Sequence, residues 1–165
     1  MLIFKKIVHI ILLLVVVLNC HKYSPTEPKV ELTVFPEVRM SDFNYDDTGI
    51  ELTFWNDSTW RSFTHAYNGK FSSELVELIV DNMRKQAEAL FLDPDVLDSC
   101  IYGNPEMQGN ASVFLPCVAE RAKYQGQDVW VIIFAWGFDV DDLGHIWIHV
   151  MDLYAYKSLH YLKCR

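Results

Sequence analysis

The stretch DVWVIIFAWG, Asp128–Gly137, decides how the chain is read. Its β-branched and aromatic residues, bounded by turn residues, make it a strand. Successive side chains of a strand point to opposite faces. Val129, Val131, Ile133 and Ala135 therefore share one face, and Trp130, Ile132, Phe134 and Trp136 the other. HIWIHVMDLY, His145–Tyr154, behaves in the same way, with Ile146, Ile148 and Val150 opposed to Trp147, His149 and Met151. Both faces are apolar, so both must be covered. A single helix covers only one.

Upstream, SVFLPCVAERAKY (112–124) reads as a strand, and its proline marks an edge or a bulge. Gln125–Gln127 is a hairpin turn, and SLHYLKC (158–164) is the last strand. Before the sheet, Leu75, Ile79, Met83, Ala87 and Leu90 recur at helical spacing. The spacing predicts an amphipathic helix over 72–92, with Ser72 or Ser73 as its cap. Asp95–Asn110 reads as a loop opened by a helical turn. Further upstream, Lys29–Phe35, Ile50–Trp55 and Trp60–Tyr67 read as strands, separated by a loop at Ser41–Gly49 and a turn at Asn56–Thr59. The expected architecture is α+β: one helix on a four-stranded antiparallel meander over 112–164. The N-terminal β segment, 30–67, covers the second face. Trp130, Trp136 and Trp147, with His149, are then core. The alternative is an exposed aromatic platform for a partner, but most aromatic stripes are core.

The N-terminus places the chain. Lys5 and Lys6 precede an apolar run, Ile7–Leu18, of about a dozen residues, where a spanning helix needs ~20. A cationic start followed by a short apolar run is the pattern of a secretory signal peptide. The run ends VVVLNC, Val15–Cys20, and HKYSPTEPK follows. Val17-Leu18-Asn19-Cys20 resembles the lipobox of bacterial lipoproteins, with Val17 and Asn19 where that family usually carries Leu and a small residue. The resemblance implies removal of 1–19, a diacylglyceryl group on Cys20 and a location in the cell envelope, membrane-anchored and facing periplasm or surface. More than one acyl chain is what stable anchoring requires. Residues 20–29, with Pro25 and Pro28, then form an extended tether, and 30–165 a single domain.

Without residues 1–19 the chain holds 12 basic and 22 acidic residues, a formal charge of −10. Such a chain is a poor ligand for nucleic acid or for anionic lipid, both of which select basic surfaces. Export implies an oxidising compartment. With Cys20 lipidated, Cys100, Cys117 and Cys164 allow one disulfide and one thiol. Cys100–Cys117 is the favoured pair, because both flank one Gly/Pro/Asn-rich loop. Closing it is worth ~3 kcal/mol on the chain-entropy model.

The order helix, hairpin, then further strands over 72–164 resembles PepSY-like and cystatin-like arrangements. That resemblance implies a helix packed on a curled antiparallel sheet and carries no functional residues. Asp42, Asn44 and Asp46 alternate as at the start of a calcium loop, but the required Gly and Glu are replaced by Asp47 and Thr53. His145 and His149 share a strand face yet lie about 13 Å apart at ~3.3 Å per residue, too far for one metal. Asn56-Asp57-Ser58 and Asn110-Ala111-Ser112 match the glycosylation sequon, which bears on a eukaryotic secretory pathway only. No motif of a hydrolase, metalloprotease or nucleotide-binding enzyme is present, and no cofactor or metal is called for. Two functions follow. One is an envelope lipoprotein with a small domain that binds a protein partner. The other is a small secreted hydrolase that uses a thiol, Cys117 foremost, or a carboxylate.

Overall fold

The chain from Val113 to Gly137 folds back on itself through a two-residue turn. Gln125 and Gly126 both take positive φ, 50° and 84°, the pairing of a type I′ hairpin turn, whose twist matches that of the strands it joins. The computed structural model describes residues 30–103, 113–154 and 158–163, and Glu31–Arg165 cluster as one compact unit. In chain order the elements are β1 (Glu37–Tyr45), α1 (Asp47–Trp55), α2 (Ser58–Tyr67), α3 (Ser73–Ala89), α4 (Pro94–Tyr102), β2 (Val113–Tyr124), β3 (Gln127–Gly137), β4 (His145–Asp152) and β5 (Ser158–Lys163). The strands form one sheet in the order β1-β2-β3-β4-β5. β1 runs parallel to β2, and the other neighbours are antiparallel. The fold is α+β. Its meander matches the expectation, while a fifth strand, four helices and a parallel pair do not belong to it.

Parallel neighbours require a long crossover, and here α1–α4 supply it. These helices are divided between the two faces. Cross-strand register puts Arg39, Glu120, Val131 and Val150 on one face, and Arg121, Trp130 and Met151 on the other. Over the first face, Arg39 stacks on Phe54 of α1 and pairs with Asp57, the cap of α2. Over the second, Leu92, Asp93 and Val96, from the α3–α4 turn and α4, wall a cleft with Arg121 and Trp130. Arg84 of α3 bridges to Asp95 and Asp98, fastening the two helices of that pair to each other. Both apolar faces of β3 are thereby buried.

The strands expected at Ile50–Trp55 and Trp60–Tyr67 are helices, so the covering element is not a β segment. It also lies on the face opposite the tryptophans. The reason is capping. Asp46 accepts a hydrogen bond from the Gly49 amide (2.7 Å), and Asp57 from that of Thr59 (2.8 Å), satisfying amide groups that a helix start leaves open. Ile50 and Phe54, and Phe63 and Tyr67, are each four residues apart and fully or almost fully buried, as one face of a helix requires. Their β propensity gives way to that packing.

The first strand is also displaced. It runs over Glu37–Tyr45 rather than Lys29–Phe35, through residues whose polar composition reads as a loop. Thr33 and Val34 instead donate their amides to the Tyr67 hydroxyl, at 3.0 Å each. α3 lies where the periodicity puts it, capped by Ser72. The helical turn expected after Asp95 extends to a nine-residue helix, capped by Asp93 with Pro94 in its first turn. The proline in β2 sits at a register shift between Pro116 and Val118, the expected bulge.

Candidate functional site

Trp130 and Trp136 are 2 % exposed, Trp147 4 % and His149 1 %. Trp136 is the hub: its ring lies 6.1 Å from Phe114, 6.4 Å from Trp147 and 4.9 Å from His145, and its Nε1 donates to the Ile146 carbonyl. The aromatic face is interior packing and not an open platform.

His149 packs in this cluster, tilted against Trp147 at 4.8 Å and edge-on to Phe134 at 5.9 Å. Burial disfavours its charged form and lowers its pKa to about 4. Between the ordinary histidine value of ~6.5 and ~4, the unfolded chain takes up a proton at this residue and the folded chain does not. The stability His149 contributes is complete above ~6.5 and is lost as pH falls to ~4, by about 3 kcal/mol at 1.36 kcal/mol per pH unit. His149→Phe should remove that part of the slope. Urea midpoints for both proteins at pH 7 and pH 4.5 measure it, and equal slopes would contradict it.

The expected Cys100–Cys117 bridge is not made: both thiols are free, Cys100 buried in α4 and Cys117 buried in β2. Burial pushes Cys100 up to about 12 and Cys117 higher still, and Cys117 Sγ meets the Ile133 carbonyl at 3.3 Å. Such thiols are inert rather than nucleophilic. Cys20 and Cys164 lie outside the described residues, as does the sequon at Asn110. Asn56 is exposed at the end of α1. The acidic triplet is dispersed: Asp46 caps α1, Asn44 accepts the Gly126 amide (2.8 Å), and Asp42 is on the surface. Among the described residues no three His, Cys, Asp or Glu side chains gather as metal ligands.

Two arrangements were not read from the sequence. The first is an ion network. Glu120 is 3 % exposed. Its Oε2 accepts from Arg39 Nε at 2.6 Å, and its Oε1 from Ser41 Oγ at 2.5 Å and Tyr45 Oη at 2.8 Å. Arg39 also pairs with Asp57 at 2.9 Å. Burial works against the Arg39 charge, but the hydrogen bonds and charges of Glu120 and Asp57 outweigh it and hold its pKa above the ordinary value. For Asp57 burial acts upward, and hydrogen bonds from Thr59 and Arg39 bring its pKa below the ordinary carboxylate value. Tyr45 is pushed up to about 12, by burial and then by Glu120. A carboxylate saturated by an arginine and two hydroxyls is a structural clasp. It ties edge strand β1 to β2 and to the cap of α2.

The second arrangement is at the surface. α3 ends in a Schellman turn: the Leu92 amide bonds the Ala87 carbonyl at 2.9 Å, and Phe91 takes the left-handed conformation with φ 59°. Glycine is the usual residue there, and a bulky side chain at that φ is strained. Phe91 is nevertheless 98 % exposed. Leu92 beside it lines two clefts of about 350 and 380 Å³ that share Arg121. The first is closed by Val96, Trp130, Leu153 and Tyr154, the second by Met40, Ser41 and Lys123. Arg121 is held between them by the Val129 carbonyl (3.1 Å) and Asp128 (3.4 Å).

No protein-family model, curated protein or solved structure matches this chain. The site is therefore read from its own geometry. A one-residue signal marks each missed arrangement. Glu120 is a charge in the inward phase of β2, in step with Val118 and Ala122. Phe91 stands where a helix stop calls for glycine.

Proposed function

We propose that this chain is an exported lipoprotein, held on a membrane of the cell envelope by lipid on Cys20, whose folded domain works by binding a protein partner rather than by catalysis. The observation that carries the location is the N-terminal order of Lys5-Lys6, the apolar run Ile7–Leu18 and Cys20, followed by a Pro-containing stretch. The likeness to PepSY-like and cystatin-like arrangements adds a layout for the C-terminal part and no functional residue. Binding is favoured over thiol or carboxylate hydrolysis by the state of the reactive groups. The two described thiols are buried with raised pKa values, and the buried carboxylate Glu120 is occupied on both oxygens. A catalytic base needs a free lone pair within reach of substrate.

Metabolic labelling tests the anchor. The wild-type protein should take up radiolabelled palmitate in its bacterial host, and Cys20→Ala should take up none and persist as an unprocessed or soluble form. Equal labelling of the two would overturn the lipoprotein reading.

A further inference from the structure

We propose that Gln86 of α3 stands in for a further strand at the β1 edge of the sheet, and that it keeps this edge from accepting a strand of another chain. The role is separate from the binding reading above and does not depend on the lipid anchor. β1 is the first strand in the sheet order and has β2 as its neighbour on one side only. An edge strand presents a row of amide and carbonyl groups outward, which is a template for pairing with another chain. In β1 those groups are taken. Gln86 Oε1 accepts from the Val38 amide at 2.9 Å, and Gln86 Nε2 donates to the Pro36 carbonyl at 2.7 Å. One side-chain amide thereby bonds an N–H and a C=O that lie two residues apart. A residue of a parallel neighbouring strand makes the same pair of bonds, around the residue between them, here Glu37. The carboxamide is steadied from the helix, where its Nε2 also donates to Asn82 Oδ1 at 2.8 Å, one turn back on α3. The rest of the edge is guarded by other means. Pro36 has no amide to offer. Beyond Met40 the register against β2 shifts before Asn44, and the exposed Asp42 lies in that irregular stretch. A bulge and a charge both blunt an edge. Between Pro36 and Met40 the strand is regular, and one side chain closes it.

The experiment compares Gln86→Ala with wild type in the detergent-solubilised full chain. Alanine is the best helix former, so α3 is kept. At low concentration the Val38 amide should exchange roughly tenfold faster in the variant, the size of effect that one hydrogen bond carries. As concentration rises, the light-scattering mass of the variant should climb while that of wild type stays constant. Exchange at Val38 should slow again over the same range, because strand pairing covers the amide. Met40→Lys, added to Gln86→Ala, puts a charge on the opened edge and should return the mass to the wild-type course. Ile79→Val loosens the buried face of α3 away from the edge and should leave the mass constant. A Gln86→Ala mass that follows wild type at every concentration overturns the guard and leaves Gln86 as a tie between α3 and β1. Association with no slowing at Val38, association that Met40→Lys does not reverse, or equal association of Ile79→Val overturns it as well, because each marks general loosening rather than an opened edge.

Discussion

Trp136→Ala and Trp147→Ala should each lower the stability of the folded domain by ~3–5 kcal/mol, the usual cost of emptying a buried tryptophan site. The structure explains why the effect is near that ceiling. Trp136 is packed by Phe114, Trp147, Phe138 and His145, and its ring nitrogen is hydrogen-bonded to a strand carbonyl. A helix-bearing sheet gives way little around such a void, so transfer and cavity terms both apply. Marginal stability makes the loss a large share of the total. For a domain of this size it corresponds to a fall in melting temperature of roughly 10–20 °C. Circular dichroism melts of the two variants decide the matter. Melts that coincide with wild type would mean that the aromatic face is open, and it would then become the leading binding surface.

The second large effect belongs to the clasp. Glu120→Ala should cost ~3–5 kcal/mol, because removing one member of a buried ion pair leaves the other uncompensated. Arg39 would lose its best partner, and Tyr45 and Ser41 the acceptor of their hydroxyl hydrogens. Glu120→Gln keeps an acceptor for those hydroxyls and should cost clearly less. Arg39→Ala should resemble Glu120→Ala, and the double variant should cost less than the sum of the two, as coupled neighbours do. The loss should show first at β1, the edge strand that the clasp holds to β2. Amide exchange at Val38–Met40 would report it. Additive effects with no change in exchange there would reduce the clasp to an ordinary surface salt bridge.

How far the fold was legible depended on the kind of signal. α3 and the meander were legible because period and composition agree: a long 3.6-residue stripe from Leu75 to Ala87, and β-branched runs bounded by turn residues. α1 and α2 were not, because their β-prone residues compete with caps that occupy one residue each. Asp46 and Asp57 look like loop composition until their hydrogen bonds are seen. β1 was misplaced because polar residues such as Arg39 and Ser41 become inward-facing only once Glu120 is opposite them, and that pairing spans about 80 residues of chain. The conclusion that both faces of β3 need cover was correct from alternation alone. Which element covers which face was set by the parallel crossover, which no local pattern encodes. Phe91 is the instructive omission at the site. Its position was inside the predicted helix, and only the turn geometry reveals that the chain places a ring where glycine fits best.

Lipid attachment at Cys20 is tested most directly by the intact mass of the protein extracted from its native membrane. The expected species begins at Cys20 and carries a diacylglyceryl group on that residue. A chain that retains residues 1–19, or one that begins at another residue and carries no lipid, would contradict it.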